Sequence, residues 1–315
     1  MTRRLVIGAA ALVAWVAGSV LGAGTPGVDR ASAAPLLQIG QAHAEFTPVL
    51  DGSEPVFILV IGSDARPDQE VAAQRADSLH LVGINPAKGR AAILGFPRDS
   101  YVPIPGYGTD KINTALFYGG PELQVETIEA LTGITIDYWA LTGFEGFIKM
   151  INDIGGFEFE VPFALSDTGL RDFSEGTHDF SGQDALAFAR NRHGLPMGDF
   201  GRSENQGRLM VGLLSQFRRE FAKDPSRVFT WLSAGLRNLT TDITLDQLLS
   251  LAFTTTGINP KRVENVVVPG STGVNGESSI VIISAEADAI YHDMANDGLI
   301  GKNNIPPSPN ASLLD

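Results

Sequence analysis

Residues 56–66 read Val-Phe-Ile-Leu-Val-Ile-Gly-Ser-Asp-Ala-Arg. The run Val56–Gly62 carries no polar side chain, follows Pro55 and stops at Gly62-Ser63-Asp64. A short run that is apolar at odd and even positions alike predicts a strand covered on both faces, in the middle of a sheet. It then delivers a carboxylate and a guanidinium, Asp64 and Arg66, to its carboxyl end. Open α/β sheets keep their ligand crevices at that edge.

Outward from this strand, Ser78–Ile84 and Ala91–Phe96 flank the turn residues Asn85-Pro86-Ala87-Lys88-Gly89 and predict a hairpin. Helical pattern follows over Lys111–Tyr118 and over Pro121–Leu131, the second opened by proline. Ile136–Leu141 reads as a strand. After it Phe144, Phe147, Ile148 and Ile151 share one helical stripe, for which core packing is the simplest account. Gly155-Gly156 closes that helix and Phe157–Val161 is again a strand. Ser181 opens a helix running to about Arg190, and Ser203 with Gln206 reads as a capping box opening another, to about Phe221. Helices near Ser226–Leu236, Leu245–Phe253 and Ser284–Asn296 surround one late strand, Val263–Val268. Strands interleaved with helices, and at least one hairpin, predict an α/β fold. Its mixed β-sheet is sandwiched between helices in a single domain over 51–300.

The ends read differently. Arg3 and Arg4 precede an uncharged run of 20 residues, Leu5–Gly24, long enough to span a hydrocarbon core. Basic residues before it favour a cytoplasmic amino terminus. Ala31-Ser32-Ala33 offers the alternative of a cleaved signal, although the run exceeds the usual signal core of about 7–15 residues. Residues 1–24 are therefore read as a transmembrane anchor or signal segment. Residues 25–50, rich in Ala, Pro, Gly and Ser, are read as a linker, and 301–315, with three prolines, as a flexible tail. The expected location is the cell membrane, single-pass, with an extracytoplasmic catalytic domain; the alternative is a secreted or periplasmic protein.

Composition narrows the chemistry. Net charge is −13, from 23 basic against 36 acidic side chains, which argues against a nucleic-acid partner. The absence of cysteine removes disulfides, thiol nucleophiles and zinc ribbons. Among the basic residues 17 are Arg and six Lys, and Arg is the fork that grips carboxylate or phosphate with two parallel bonds. Polar residues gather at predicted strand and helix ends. They form Gly62-Ser63-Asp64-Ala65-Arg66, Arg75-Ala76-Asp77-Ser78, Pro97-Arg98-Asp99-Ser100, Asp110-Lys111-Ile112-Asn113, Arg190-Asn191-Arg192-His193 and Asp199-Phe200-Gly201-Arg202. Carboxylates without a histidine pair suit a hard ion, Mg²⁺ or Mn²⁺, and arginine forks beside it suit a substrate with two phosphates. Any one of these motifs alone is more often a surface ion pair worth under about 1 kcal/mol. There is no P-loop and no G-x-S-x-G elbow.

The order of the motifs says more. GSDAR, RADS, FPRDS, DKINTALFYGGPE, IDYWALTGFEGF, IGGFEFEVP, FSGQDALAFARNRHG and DFGR succeed one another over about 55–295. In this the chain resembles the LytR-CpsA-Psr family of cell-wall glycopolymer phosphotransferases. The resemblance implies a mixed sheet between helices with an apolar tunnel for lipid. It also implies an extracytoplasmic transferase that moves a glycopolymer from a polyprenyl-pyrophosphate carrier to a peptidoglycan-type hydroxyl, releasing polyprenyl phosphate. By position, Asp64 and Asp77 match the family's metal-binding aspartates, for Mg²⁺ or Mn²⁺. Arg75, Arg98, Arg190, Arg192 and Arg202 match its pyrophosphate-gripping arginines; Lys111 lies in the matching KIN motif and Asp99 in the PRD motif. Arg75, Arg98 and Asp99 are the catalytic candidates, with Asp99 the candidate base. Phe117, Trp139, Phe144 and Phe147 are candidate tunnel walls or plain core. One departure is visible: family members often follow DFGR with an arginine and paired glutamines, where this chain has Ser203-Glu204-Asn205-Gln206 and then Arg208. Two rival functions use the same residues, a hydrolase of polyprenyl-pyrophosphate-linked substrates and a non-catalytic carrier-lipid or glycan-binding module.

Overall fold

The apolar run at 56–62 is a strand, as its composition requires, and it lies inside the sheet. A computed structural model describes residues 37–41, 54–237, 239–241 and 245–314. Its strands are β1 (Leu37–Gln41), β2 (Val56–Ser63), β3 (Ala76–Asn85), β4 (Arg90–Gly95), β5 (Tyr101–Ile104), β6 (Gly108–Lys111) and β7 (Tyr138–Thr142). β8 (Phe157–Val161), β9 (Gly176–Phe180), β10 (Leu239–Thr241), β11 (Val263–Val267), β12 (Gly270–Asn275) and β13 (Ser278–Ile283) follow. The helices are α1 (Thr114–Thr132), α2 (Phe144–Asp153), α3 (Gly182–Arg190), α4 (Asp199–Lys223), α5 (Arg227–Leu236), α6 (Leu245–Thr256) and α7 (Ala287–Asp297).

Seven strands form one mixed sheet in the order β10-β1-β7-β2-β3-β4-β11, and three separate hairpins, β5–β6, β8–β9 and β12–β13, decorate it. β2 pairs antiparallel with β3 and parallel with β7. The predicted hairpin is β3–β4. On one face Phe57, Leu59 and Ile61 of β2, with Leu79 and Leu81 of β3, pack against Val125 and Ile128 of α1 and Ile290 and Met294 of α7. Each such aliphatic side chain contributes about 1.5–3 kcal/mol by leaving water. The alternate positions of β2 and β3 face the other helices: Ile58 packs with Leu248 and Leu251 of α6 against the Val56–Tyr138 cluster, and Val82 with Leu214 of α4 against Ile84, Ala91 and Ile258. A second cluster joins β8–β9 to α2, α3 and α4 through Phe157, Phe159, Phe180 and Phe188. Close approach fixes α4 on the sheet. A Cβ at Gly95 would stand 2.4 Å from Ser203 Oγ, so only glycine lets the helix lie this near β4.

Several expectations need correction. The helix expected from Lys111 begins at Thr114, because Tyr101–Lys111 is spent on the β5–β6 hairpin. The two helical runs after it are joined across a kink at Gly119 and Gly120, the latter at φ 71°. Ser203 caps nothing: α4 starts after Gly198, at φ 49°, and Ser203 is buried one turn inside it. The capping box lies instead at Ser181 and Asp184 of α3. Leu37–Gln41, in the stretch read as linker, pairs with β7 and β10. The tail read as flexible is clamped. Ser308 Oγ donates to the two carboxylate oxygens of Glu204 at 2.7 and 2.8 Å, and Asn310 is buried with its Nδ2 donating to Gly201 O. A carboxylate buried on α4 requires donors, and the tail supplies them. The anchor segment 1–24 and the rest of the linker stretch lie outside the described residues. Among the described residues no helix is long and apolar enough to cross a membrane.

Candidate active site

The carboxyl end of β2 is bent. The β2–β3 register shifts between Gly62 and Ser63, so that Ser63 pairs with Ala76. Such a bulge re-aims the residues beyond it. Asp64 N then donates to Arg75 O at 3.0 Å, which brings the loop after β2 beside the residues that open β3.

At the centre is a ring of alternating charge. Arg98 Nη1 lies 2.5 Å from Asp77 Oδ1, and Arg202 Nη1 reaches the same oxygen at 3.4 Å. Arg202 Nη2 pairs with Asp199 Oδ1, and Arg98 Nε faces that oxygen at 3.9 Å. Burial works against the Arg98 charge, but Asp77, Asp99 and Asp199 outweigh it, so the guanidinium is held more firmly protonated than usual. Two buried atoms of this ring, Arg98 Nε and Asp199 Oδ2, have no hydrogen-bond partner in the protein.

Two cavities adjoin the ring. The polar one, about 290 Å³, is lined by Asp64, Arg75, Arg98, Asp99, Asp110 and Lys111. Asp99 Oδ1 lies 3.2 Å from Lys111 Nζ across it. The apolar one, about 110 Å³, lies between β2 and helices α2, α3 and α4, with Ile61, Phe144, Phe147, Leu186 and Leu209 as walls beside Asp77 and Arg190. Arg190 is exposed and rests its guanidinium 4.8 Å from the Phe144 ring centroid, a cation–π contact at this cavity. Of the tunnel candidates, Phe144 and Phe147 line this cavity, Trp139 belongs to the main core, and Phe117 stands exposed.

Asp64, Asp77, Arg75, Arg98, Asp99, Lys111, Arg190 and Arg202 thus come together from six separate stretches of chain. The salt bridges among the described residues leave Arg75, Arg190 and Arg192 without a carboxylate partner. Arg192 lies apart from the ring. Its Nη2 is 3.4 Å from His193 Nε2, and its backbone N–H donates to Asp167. That buried carboxylate also accepts from His193 N at 3.0 Å and from His193 Nδ1 at 2.8 Å. Burial alone would raise Asp167, yet these hydrogen bonds hold it down to about 2. Arg208 leaves the site altogether: it pairs with Glu204 at 2.8 Å on another face of α4.

Sequence reasoning quoted Asp110 and Asp199 in its polar clusters without giving either a role, read Gln206 as part of a capping box, and passed over Asp167. Asp199 was legible, three residues before Arg202 in the same DFGR motif. Gln206, whose Nε2 donates to Ala189 O at 3.0 Å and more weakly to Asp77 O, stood in the departure from the family pattern. Asp167 carried no local signal.

Among the described residues no group of three or more acidic or imidazole side chains forms a ready metal cage. Two carboxylates suffice for Mg²⁺, which keeps waters and takes substrate phosphates as its other ligands. The Asp64 carboxyl is raised first by burial and then by the neighbouring Asp77 charge. That repulsion is what a bound cation relieves, so the pair fits a hard divalent ion.

The comparisons agree with this geometry. A profile described as the LytR_cpsA_psr family matches residues 32–296. The chain is similar to an Enterococcus faecalis protein named polyisoprenyl-teichoic acid--peptidoglycan teichoic acid transferase TagU, being 30% identical over 205 residues, 65% of this chain and 67% of that one. Its matches span about two thirds of the length of such curated relatives. The fold is similar to the crystal structure of B. subtilis TagV at 27% identity and TM-score 0.65, over 78% of this chain and 98% of that one. It is also similar, at 23% identity and TM-score 0.60, to the protein YwtF (TagT) with bound octaprenyl pyrophosphate lipid, over 83% of this chain and 95% of the other.

Proposed function

Because the chain belongs to the LytR-CpsA-Psr family, we propose that it transfers a glycopolymer from a polyprenyl-pyrophosphate carrier to a peptidoglycan-type hydroxyl. The observation that carries this reading is that one ion pair stands between two unlike cavities: Asp77 lines the apolar one, and its partner Arg98 lines the polar one with Arg75 and Lys111. A ligand that is isoprenoid at one end and doubly phosphorylated beyond it has the same division. The relative's name assigns that reaction to the relative, for teichoic acid; the polymer for this chain is a glycopolymer of unspecified kind.

In this mechanism Phe144 and Phe147 take the isoprenoid end, and Arg75, Arg98, Arg190 and Lys111 hold the phosphate oxygens. Arg192 joins them by a movement of its side chain away from His193. Asp77 and Asp199 aim Arg98 and Arg202 through their ion pairs. The acceptor oxygen forms a bond to the phosphorus that carries the glycan while the bond to the bridging oxygen breaks. Polyprenyl phosphate leaves, and the hydroxyl proton passes to Asp99, the carboxylate facing Lys111. Mg²⁺ or Mn²⁺ on Asp64 and Asp77, when bound, supplies Lewis-acid neutralisation of the pyrophosphate charge. The amino-terminal segment anchors the chain in the cell membrane with the catalytic domain outside.

The test uses full-length protein in detergent with Mg²⁺, a synthetic polyprenyl-pyrophosphate glycan and peptidoglycan fragments. Polyprenyl phosphate release with sugar joined to the fragment, read by mass, supports transfer. Release that ignores the fragment makes the protein a hydrolase, and binding without release makes it a carrier-binding module.

A further inference from the structure

Three aromatic side chains stand in solvent beside the polar cavity: Tyr107 is 55% exposed, Phe117 55% and Tyr118 37%. Tyr107 occupies the tip of the β5–β6 hairpin, between Gly106 at φ 78° and Gly108 at φ 80°. Its ring stacks flat on Tyr118, with centroids 4.9 Å apart and planes within 3°. Phe117 meets Tyr118 edge-on at 5.8 Å. The polar ends are tied as well: Tyr107 Oη donates to Tyr118 O at 3.2 Å, and Tyr118 Oη donates to Asp110 Oδ2 at 2.7 Å. Single exposed apolar residues are ordinary and need no explanation. Three in contact, with their hydroxyls anchored, make an ordered aromatic face that folding alone does not require.

This face adjoins the site. Phe117 lines a small cavity, about 210 Å³, with Asp64, Gln74 and Arg75. Asp110, the partner of Tyr118, lines the polar cavity with Arg98 and Lys111. Asp64 and Asp77 act on one another electrostatically, and Asp77 belongs to the apolar cavity. The order along the molecule is therefore apolar cavity, charged ring, aromatic face. A carrier-linked glycan has the same order: isoprenoid, pyrophosphate, sugar. The electron-rich face of an aromatic ring attracts the polarised C–H groups of a pyranose, and a carboxylate at its edge accepts from sugar hydroxyls.

We propose that Tyr107, Phe117 and Tyr118, with Asp110 at their edge, form the subsite for the sugar joined to the donor's pyrophosphate. The proposal rests on the donor class put forward above. It assigns the face to the donor rather than the acceptor, because the isoprenoid enters from the other side of the charged ring.

The experiment compares binding by full-length wild type, Tyr107→Ala and Phe117→Ala in detergent, by calorimetry. The probes are polyprenyl pyrophosphate without sugar, the same carrier bearing a disaccharide, and a free peptidoglycan disaccharide-peptide. Both substitutions remove exposed rings, and thermal melting checks that each variant folds. The expected result is a loss of roughly tenfold in affinity for the sugar-bearing carrier, with sugar-free carrier bound as by wild type. Equal losses for both carriers, or no loss for either, overturn the sugar subsite while leaving the donor class standing. A loss confined to the free wall fragment overturns it in favour of an acceptor site. Wild type that binds neither carrier overturns the donor class and the subsite with it.

Discussion

Arg98 Nη1 lies 2.5 Å from Asp77 Oδ1, although 21 positions separate the two residues in sequence. The pair joins the loop after β4 to the start of β3, and it fixes the guanidinium where Arg98 lines the polar cavity. Arg98 is thus preorganised as a donor toward an incoming anion, at no cost of reorientation when the anion arrives.

Arg98→Ala is therefore expected to lower turnover by about 10²–10³-fold, the usual consequence of deleting a preorganised donor to developing charge. Arg98→Lys restores the charge but not the fork, and should recover only part of the loss. Polyprenyl phosphate release measured with a fixed acceptor decides the matter; an Arg98→Ala protein as active as wild type would remove Arg98 from the site.

The carboxyl of Asp64 is raised by burial and by Asp77, and a divalent cation relieves both effects. Turnover should cease in EDTA and return with Mg²⁺ or Mn²⁺, and Asp64→Asn should demand a higher Mg²⁺ concentration for half-maximal rate. Activity indifferent to chelator contradicts the metal assignment.

Asp167 clamps the loop that carries Arg192, accepting from the N–H groups of Arg192 and His193 and from His193 Nδ1. Asp167→Ala leaves two backbone donors unpaired, a cost of about 1–3 kcal/mol each where they are cut off from water. The expected kinetic sign is a rise in KM for the carrier larger than any fall in kcat, because the arginine loop loses its fix. Substitution to Asn, which can still accept from both N–H groups, should restore KM. A variant with wild-type KM and lowered stability would make Asp167 purely structural.

His80 is fully buried between β3 and α4, Nε2 donating to Ser203 O at 3.0 Å and Nδ1 accepting from Ser78 Oγ at 3.1 Å. Burial lowers it to about 4, against the opposing pull of the Ser203 carbonyl. The unfolded chain takes up that proton near pH 6.5. Between about pH 6.5 and 4 the unfolded state therefore binds more protons, and stability falls as pH falls, by about 3 kcal/mol in all. Urea midpoints of wild type and His80→Gln, compared at about pH 7 and pH 4.5, isolate this contribution. The same pH dependence in both proteins would show that His80 does not supply it.

Glu204 is buried on α4, where Arg208, Ser308 and the backbone of Asn310 satisfy it. The double substitution Ser308→Ala and Asn310→Ala should destabilise the protein by about 2–4 kcal/mol, read as a lowered melting temperature, because it takes the Ser308 hydroxyl from a buried carboxylate and the Asn310 amide from the buried Gly201 carbonyl. An unchanged melting temperature would show the tail to be dispensable.

The central strand is legible in the residues alone, because Val56–Gly62 is apolar on both alternating faces and an inner strand hides both. The β3–β4 hairpin followed from its turn residues, and the charged ends of the elements marked candidates for the site, Asp167 not among them. How those ends meet depends on contacts between elements far apart in the chain. The bulge at Gly62 and Ser63, the two arginines on one oxygen of Asp77, the clamp of Asp167 on the Arg192 loop and the burial of Asn310 are all contacts between distant stretches. Local pattern reports which face of an element is apolar, but not the angle or depth at which α4 crosses the sheet. That depth is set by side-chain volumes at the crossing, Gly95 against Ser203 among them, and from it follow the partners of Arg202, Glu204 and Gln206.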